Sequence, residues 1–146
     1  MKDCIKVGYI GLGRRGTGVL QYCFAEMSDV EIRMLCDLDP AKSEAANRIL
    51  AEKGKAPAKI TTDYRDILTN PEIDAVVIMT GWNSRIKCAI ESMRAGKYTA
   101  IEVGCAYDIA ECYDLVRAYE ETGVPVMMLE NCCYGRREMM ALRMVK

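Results

Sequence analysis

The sequence predicts an α/β fold built on a doubly wound parallel sheet with strand order 3-2-1-4-5-6. Strand-sized apolar runs alternate with helical segments along the 146 residues, the run Ala75–Met79 is continuously apolar, and a glycine-rich turn follows the first run. Alternating strands and helices favour parallel pairing through right-handed crossovers, and a strand without polar positions is typical of one covered on both faces. We therefore expect a ligand beyond the carboxyl ends of the strands, at the switch point between strands 1 and 4.

The first strand, turn and helix form the most specific part of the chain. The apolar run Ile5–Ile10 leads into a turn with three spaced glycines and then into a helical stretch that ends at Met27. The first glycine permits a tight turn, the second lets the main chain approach a diphosphate, and the third lets the helix pack on the sheet. The helix start offers N–H groups and a positive dipole end to phosphates. The predicted cofactor-binding residues of this turn are Gly11, Leu12, Gly13, Arg14, Arg15 and Gly16.

An acidic residue follows the second strand at the distance that a dinucleotide site requires. The apolar run Val30–Cys36 ends at Asp37, which lies 21 residues beyond Gly16, close to the usual spacing of about 20. A carboxylate there accepts hydrogen bonds from the ribose hydroxyls of NAD and repels the 2′-phosphate of NADP. NAD is therefore favoured, although Arg14 and Arg15 leave NADP open. Three glycines alone also occur in ordinary α/β turns, but strand, helix and acid together predict a Rossmann-type NAD site.

The remaining elements are predicted from apolar runs, caps and breaks. Asp39 is the predicted N-cap of a helix with Pro40 at its first position, and Gly96 and Gly123 are predicted to end two later helices. No internal repeat or low-complexity tract is present. The further predicted strands are Lys59–Thr62, Ala75–Met79, Tyr98–Val103 and Val126–Leu129, and the further predicted helices are Ala41–Glu52, Asp63–Leu68, Ser84–Ala95, Asp108–Thr122 and Arg136–Lys146.

Composition narrows the class of function. Hydrophobic residues make up 51% of the chain, and 20 basic and 21 acidic residues give a net charge of −1, which does not support binding to nucleic acid or a membrane surface. The apolar runs are too short for a transmembrane helix, and we expect no signal peptide. The chain has no histidine and no C-x-x-C pair, so we expect no metal site and a reducing cytoplasmic location. The eight cysteines are Cys4, Cys23, Cys36, Cys88, Cys105, Cys112, Cys132 and Cys133.

Polar residues that follow the later strands complete the predicted site. Trp82 either covers the adenine side of the cofactor or is a half-buried loop aromatic. Glu102 follows the fifth strand and is expected to approach the nicotinamide, the alternative being a solvated acid. Cys132 and Cys133 are expected to pack in a tight loop rather than to carry redox chemistry, because adjacent cysteines form strained disulfides. The predicted cofactor-binding residues in this part are Thr80, Gly81, Trp82, Asn83, Arg85, Glu102, Val103 and Asn131.

These motifs resemble the Gfo/Idh/MocA family of NAD(P)-dependent oxidoreductases over essentially the whole chain. The glycine turn with Asp37 is followed by the segments Thr80–Arg85, Ala95–Tyr98 and Glu102–Gly104. Their spacing is similar to the Thr-Pro-Asn loop with its histidine, the Ala-Gly-Lys-His motif and the Glu-Lys-Pro motif of that family. The resemblance implies a hydride transfer between a nicotinamide cofactor and a sugar or sugar-like alcohol.

The chain departs from the family pattern at several site positions. Gly81 stands where a loop proline is usual, Arg85 stands at the usual histidine, and Gly104 replaces a proline. Val103 occupies the position of the lysine that assists hydride transfer in the family. The resemblance therefore implies that Glu102 lines the nicotinamide pocket, while a dehydrogenase mechanism that needs the lysine is in question.

One subgroup of the family shares the valine at the position of that lysine. Glu102-Val103 and the segment Met128–Tyr134 are similar to the NAD-dependent α-N-acetylgalactosaminidases. That resemblance implies transient oxidation of a sugar hydroxyl, elimination of the aglycone next to the ketone, and reversal of both steps, with Glu102 and Tyr134 as the candidate catalytic residues. Three functions stay open: a dehydrogenase, an NAD-dependent glycosidase, and a non-catalytic nucleotide-binding module.

The resemblance also predicts the domain organisation. We expect residues 1–146 to form an NAD-binding Rossmann domain and the α+β substrate domain of the family to be missing from this chain. The chain alone is then expected to be inactive, and the full-length protein to act on a small carbohydrate as a homo-oligomer. Without its partner domain, the last helix is expected to expose an apolar patch. That patch comprises Met139, Met140, Leu142, Met144 and Val145.

Overall fold

Strands and helices alternate along the whole described chain, which in this computed structural model comprises residues 4–104 and 106–146. The strands are β1 (Ile5–Ile10), β2 (Val30–Cys36), β3 (Lys59–Thr61), β4 (Ala75–Ile78), β5 (Tyr98–Ile101) and β6 (Val126–Met128). The α-helices are α1 (Arg14–Tyr22), α2 (Pro40–Glu52), α3 (Arg65–Thr69), α4 (Trp82–Arg94), α5 (Ile109–Thr122) and α6 (Arg136–Val145). Short 3-10 helices comprise Phe24–Glu26 and Cys132–Tyr134.

The sheet has the predicted topology. Its strand order is β3-β2-β1-β4-β5-β6, and every neighbouring pair is parallel. At the carboxyl end of the central strand, Ile10 pairs with Cys36 of β2 and with Ile78 of β4. The chain therefore changes direction of winding on either side of β1, and the predicted doubly wound class and order are confirmed.

Two hydrophobic cores lie on opposite faces of the sheet because successive side chains of a strand point to opposite faces. Tyr9 and Val77 belong to one cluster, which includes Leu20 of α1 and Leu50 of α2. Neighbouring strand positions belong to a second cluster together with residues of α3, α4 and α5. Members of that second cluster include Ile10, Val76, Ile78, Ile67, Ile86, Met93 and Leu115. The central strands are thus buried on both faces, as their continuous apolar runs indicate.

The observed boundaries differ from the predicted ones most clearly at α1. The predicted helix to Met27 ends at Tyr22, because Cys23 leaves helical geometry with φ −121° and ψ −73°, and a 3-10 turn follows. The helix α4 begins at Trp82 rather than Ser84, with Gly81 as its N-cap. The strand β5 ends at Ile101 rather than Val103. All other boundaries lie within two residues of the predicted ones.

The last helix, α6, exposes its apolar side chains, which confirms the expected apolar patch on this helix. None of its residues is buried. The exposed apolar residues of α6 are Met139, Met140, Leu142, Met144 and Val145. Within the described ranges, no helix combines the length and the apolar character needed to span a membrane.

Substitution of two glycines in the same helix tests the packing of α1 on the sheet. A Cβ atom at Gly16 would overlap the carbonyl oxygen of Gly11, whereas one at Gly18 would meet no atom within 4 Å. We expect Gly16→Ala to lower the free energy of unfolding by about 1–3 kcal/mol through overpacking. The matched control Gly18→Ala should raise it by up to about 1 kcal/mol, because alanine favours helix. Urea denaturation followed by circular dichroism measures both changes, and equal effects would contradict the packing described.

Candidate functional site

The glycine turn is held between the two strands that flank β1. The N–H of Gly11 donates a hydrogen bond to the carbonyl oxygen of Cys36 at 2.8 Å, and the N–H of Met79 donates to that of Ile10 at 2.7 Å. Gly11 has a φ of +95°, a conformation that side chains disfavour, and a Cβ there would lie 2.8 Å from the carbonyl carbon of Met79. The turn thus requires glycine for both its conformation and its space.

The start of α1 is fixed by contacts with the turn and the sheet below it. The hydroxyl of the buried Tyr9 donates to the carbonyl oxygen of Gly16 at 2.7 Å, and burial raises the pKa of this phenol. The hydroxyl of Thr17 donates to the carbonyl oxygen of Leu12 at 3.0 Å. In contrast, a Cβ at Gly13 would meet nothing within 4 Å. Open space therefore lies in front of the first turn, where a phosphate needs access to the N–H groups of the helix.

Asp37 binds the main chain of the glycine turn. Its Oδ2 accepts a hydrogen bond from the N–H of Leu12 at 2.7 Å, and its Oδ1 accepts one from the N–H of Asp39 at 3.0 Å. The ammonium of Lys42 lies 3.5 Å from Oδ1. Burial opposes ionisation, but the N–H groups of Asp39 and Leu12 and the charge of Lys42 outweigh it and lower the pKa of the Asp37 carboxyl. The carboxylate is therefore charged at neutral pH and lies beside the turn, as the sequence predicted.

A cleft of about 390 Å³ opens at this edge of the sheet. Predicted site residues in its lining are Gly11, Gly13, Asp37, Thr80 and Gly81. The hydroxyl oxygen of Thr80 is buried and has no hydrogen-bond partner among the described residues, although a buried hydroxyl normally has one. A bound ligand with a polar group would supply that partner.

Sequence reasoning missed one wall of the cleft, which comes from α2, the segment before α3, and α4. Tyr64 is the largest of these side chains, and its hydroxyl donates to Glu91 at 2.6 Å. Burial and the neighbouring carboxylate raise the pKa of this phenol. These positions carry no motif, because only the packing of the helices brings them to the edge of the sheet. The missed lining residues include Leu38, Lys42, Thr62, Tyr64 and Cys88.

An ion pair crosses the edge of the sheet on the other side of β1. Nε of Arg15 lies 2.8 Å from Oε2 of Glu102, and the N–H of Val103 donates to Oε1 of the same carboxylate at 2.9 Å. Burial opposes ionisation of Glu102, but these two groups and the charge of Arg85 lower its pKa. The structure thus places Arg15, Glu102 and Val103 in one group, while Arg14 is exposed on the helix surface.

Arg85 is buried and joins the loops that follow β4 and β5. Its Nη2 donates to the carbonyl oxygen of Thr80 at 2.7 Å. Its Nη1 donates to the carbonyl oxygen of Val103 at 2.6 Å and lies 3.2 Å and 3.3 Å from those of Glu102 and Gly104. The buried guanidinium of Arg85 therefore holds two site loops together. Its predicted contact with the cofactor stays a prediction.

Trp82 and Asn83 begin α4 and are not part of a loop, which corrects their predicted position. The Trp82 ring packs against Gly104, where a Cβ would lie 2.6 Å from Cζ2 of the ring. Gly104 follows β5, so the ring lies on the β5 side of the switch point, whereas Asp37 follows β2. Trp82 is about half exposed, at 52%, and Asn83 is exposed.

The segment after β6 is the most open part of the predicted site. Asn131 precedes a 3-10 helix that ends at Tyr134, whose side chain is 71% exposed. Cys132 and Cys133 are exposed free thiols in the same helix, so the expectation that they pack in a tight loop is wrong. Cys105 lies outside the described residues.

Taken together, these residues fit a dinucleotide. The turn provides a conformation and a close approach that only glycine permits, the open helix start can receive a diphosphate, and a charged carboxylate lies beside it for a ribose. The arrangement defines the class of the protein as an α/β domain that binds a dinucleotide at the switch point of a parallel sheet.

Comparison with known proteins identifies the family. Residues 5–130 match the Gfo/Idh/MocA family, described as an oxidoreductase family with an NAD-binding Rossmann fold. This chain belongs to that family and is an NAD-binding domain of it, which confirms the family and fold expected from the motifs.

Curated relatives agree with the predicted subgroup. A glycosyl hydrolase family 109 protein of Shewanella baltica (strain OS195) is 40% identical over 149 residues, which cover 99% of this chain and 32% of the relative. An alpha-N-acetylgalactosaminidase of Shewanella oneidensis is 37% identical over 149 residues, with the same two coverages. The chain thus spans about one third of the length of these relatives.

A solved structure shows the same fold. The scyllo-inositol dehydrogenase from Lactobacillus casei, with bound cofactor NAD(H) and scyllo-inositol, superposes with a TM-score of 0.85 and 19% sequence identity. The match covers 97% of this chain and 41% of that one. At this identity, the likeness concerns the fold of the domain.

Substitution of Arg85 tests its role in joining the two loops. Lysine keeps the charge but cannot reach four carbonyl oxygens in different directions. We expect Arg85→Lys to lower the free energy of unfolding by about 2–4 kcal/mol, because buried carbonyl groups lose their donors. The matched control is Arg94→Lys on the same helix, whose exposed pair with Glu121 should contribute less than about 0.5 kcal/mol. Thermal and urea denaturation measure both, and similar small effects would contradict the assigned role.

Proposed function

We propose that this chain binds NAD and positions it for hydride exchange with a sugar or sugar-like alcohol. The observation that best supports this is the meeting of the glycine turn, the start of α1 and the Asp37 carboxylate at one cleft. The N–H groups at the start of α1 bind the diphosphate, with Gly13 leaving room for it, and Asp37 binds a ribose. The bound nicotinamide supplies a hydride acceptor, and the protein supplies position and electrostatics.

The charge at the ribose end supports NAD over NADP. Asp37 is ionised and its two oxygens already accept main-chain hydrogen bonds, but a carboxylate has further lone pairs for ribose hydroxyls. The 2′-phosphate of NADP would bring a second negative charge to the same place. Lys42 lies beside Asp37 and only partly offsets this repulsion.

The residues on the β4–β5 side are proposed to surround the nicotinamide half. Thr80 offers its unpaired hydroxyl, and Trp82 is proposed to cover the nicotinamide half rather than the adenine side, because its ring packs on Gly104. Glu102 is proposed to face the reacting end, and Tyr134 to act as an acid or base once substrate is bound. The other proposed cofactor contacts on this side are Gly81, Asn83, Arg85, Val103 and Asn131.

A second candidate function is a redox-neutral glycosidase. It is favoured by Val103, which stands where the family has a hydride-transfer lysine, and by relatives named as glycosyl hydrolase family 109 proteins and an alpha-N-acetylgalactosaminidase. In such a cycle, oxidation of a sugar hydroxyl acidifies the neighbouring C–H, the aglycone leaves by elimination, water adds, and the hydride returns. The substrate would then be an α-linked N-acetylated amino sugar.

The substrate half is proposed to lie in a further α+β domain. The relatives are about three times as long as this chain, and α6 and the edge strand β6 expose apolar residues such as Met140, Met144 and Met127. We further propose that the complete protein is a homo-oligomer and that this domain alone does not turn over substrate. The free thiols of the described cysteines support a cytoplasmic location.

Calorimetry with the two nucleotides tests the assignment of Asp37. We expect NAD to bind this chain at least about tenfold more tightly than NADP, because repulsion between Asp37 and a 2′-phosphate costs more than about 1.4 kcal/mol. Asp37→Asn should reduce the difference between the two affinities, because it weakens the binding of NAD and removes the repulsion between the carboxylate and the 2′-phosphate of NADP. The control Asp114→Asn, on the exposed surface of α5, should leave both affinities unchanged. Tighter binding of NADP to the unsubstituted chain would overturn the preference.

A redox balance separates the two candidate activities. The complete protein is incubated with NAD and a chromogenic α-N-acetylgalactosaminide, and both the released phenol and the NADH absorbance are recorded. A glycosidase should release phenol over many turnovers without accumulating NADH, because each turnover returns the hydride. One NADH per oxidised sugar would instead show a dehydrogenase. Nucleotide binding with neither product would indicate a non-catalytic module.

A further inference from the structure

The ion pair between Arg15 and Glu102 joins two parts of the site that the sheet holds apart. Arg15 lies in the first turn of α1, which follows β1, and Glu102 follows β5. Strand β4 lies between these two strands, so the 2.8 Å contact passes over the carboxyl end of β4. The pair therefore lies at the switch point, where the ligand of such a sheet binds.

The two side chains of this ion pair differ in their exposure to solvent. The Glu102 side chain is 13% exposed and that of Arg15 is 58% exposed. A hydrogen bond from the N–H of Val103 to Oε1 further fixes the carboxylate, whose lowered pKa keeps it charged at neutral pH. The guanidinium thus comes from the solvent side to a carboxylate that the protein already holds, and the net charge of the pair is zero.

The position of the pair relative to a dinucleotide follows from the geometry of the site. With a diphosphate at the start of α1 and one ribose at Asp37 beyond β2, the second nucleoside must extend to the β4–β5 side. That side contains the pair. The nicotinamide ring is cationic in NAD⁺ and neutral in NADH, so a net charge at this place changes the affinity for one form and not for the other.

We propose that Arg15 sets the preference of the site between oxidised and reduced cofactor, by neutralising the carboxylate of Glu102. This inference rests on the proposed function. Glu102 alone would favour the cationic ring and make its reduction less favourable, and Arg15 alone would do the reverse. The ion pair cancels both effects, while the charge of the buried Arg85 is the same in every variant. Such balance suits a reaction in which the same bound cofactor is reduced and reoxidised within one turnover.

The ratio of two dissociation constants tests this proposal on the chain as it is. Affinities for NAD⁺ and NADH are measured by calorimetry, and the ratio of the NADH constant to the NAD⁺ constant is compared between variants. We expect Arg15→Gln to raise that ratio by about threefold or more and Glu102→Gln to lower it by a similar factor, as expected for one uncompensated charge in a partly solvated site. Any contact of Arg15 with the diphosphate affects both nucleotides and cancels in the ratio.

The double variant distinguishes charge compensation from structural damage. Arg15→Gln combined with Glu102→Gln removes both charges of the pair, so the ratio of the two dissociation constants should return close to that of the unsubstituted chain. If the single variants instead acted by disturbing the structure, their effects on the ratio would add up in the double variant. The control is Arg94→Gln, which removes an arginine as exposed as Arg15 from its pair with Glu121 far from the cleft and should leave the ratio unchanged. Circular dichroism confirms that each variant is folded.

Three results would overturn the proposal. They are an unchanged ratio in both single variants, a shift of both in the same direction, and a double variant that shifts further than either single one. Each of these can occur while the chain still binds both nucleotides, which would leave the proposed function intact. If the unsubstituted chain binds neither nucleotide, the proposed function itself fails and this inference with it.

Discussion

The close contact between the first turn of α1 and the glycine turn is the constraint on which the site depends. Gly16 lies so near the carbonyl oxygen of Gly11 that even a Cβ would not fit, and the buried Tyr9 hydroxyl holds the same peptide from below. This contact fixes the direction of α1, and with it the position of the free N–H groups and of the Arg15 side chain. If a methyl group at position 16 pushed α1 away from the glycine turn, the helix direction, its free N–H groups and the Arg15 side chain would all be displaced.

Two charged side chains then fix the rest of the edge. Asp37 connects the end of β2 to the glycine turn, and Arg85 connects the loop after β4 to the chain after β5. Each satisfies main-chain groups that would otherwise be buried without partners, which is costly in a protein interior. The same two residues thereby give the cleft its shape before any ligand arrives, which reduces the cost of ordering it on binding.

The electrostatics of the sheet edge differ on the two sides of β1. On the β2 side, the charged Asp37 lies in the cleft with Lys42 beside it, which suits ribose hydroxyls. On the β4–β5 side, the ion pair of Arg15 and Glu102 lies beside the valine that replaces the lysine usual in the family.

The sequence by itself determined the strand order, the glycine turn, Asp37 and the family, because these depend on local apolar runs and on spacings along one strand–helix–strand unit. The tertiary structure determined which residues from distant segments of the chain contact one another. It showed that Arg85 holds two loops, that Trp82 packs on Gly104 at the β5 side, and that Tyr64 lines the cleft. The pairing of Arg15 with Glu102, 87 positions apart, likewise has no local signal. Only the folded sheet brings such residues together, since their proximity comes from strand order and helix packing rather than from the neighbouring sequence.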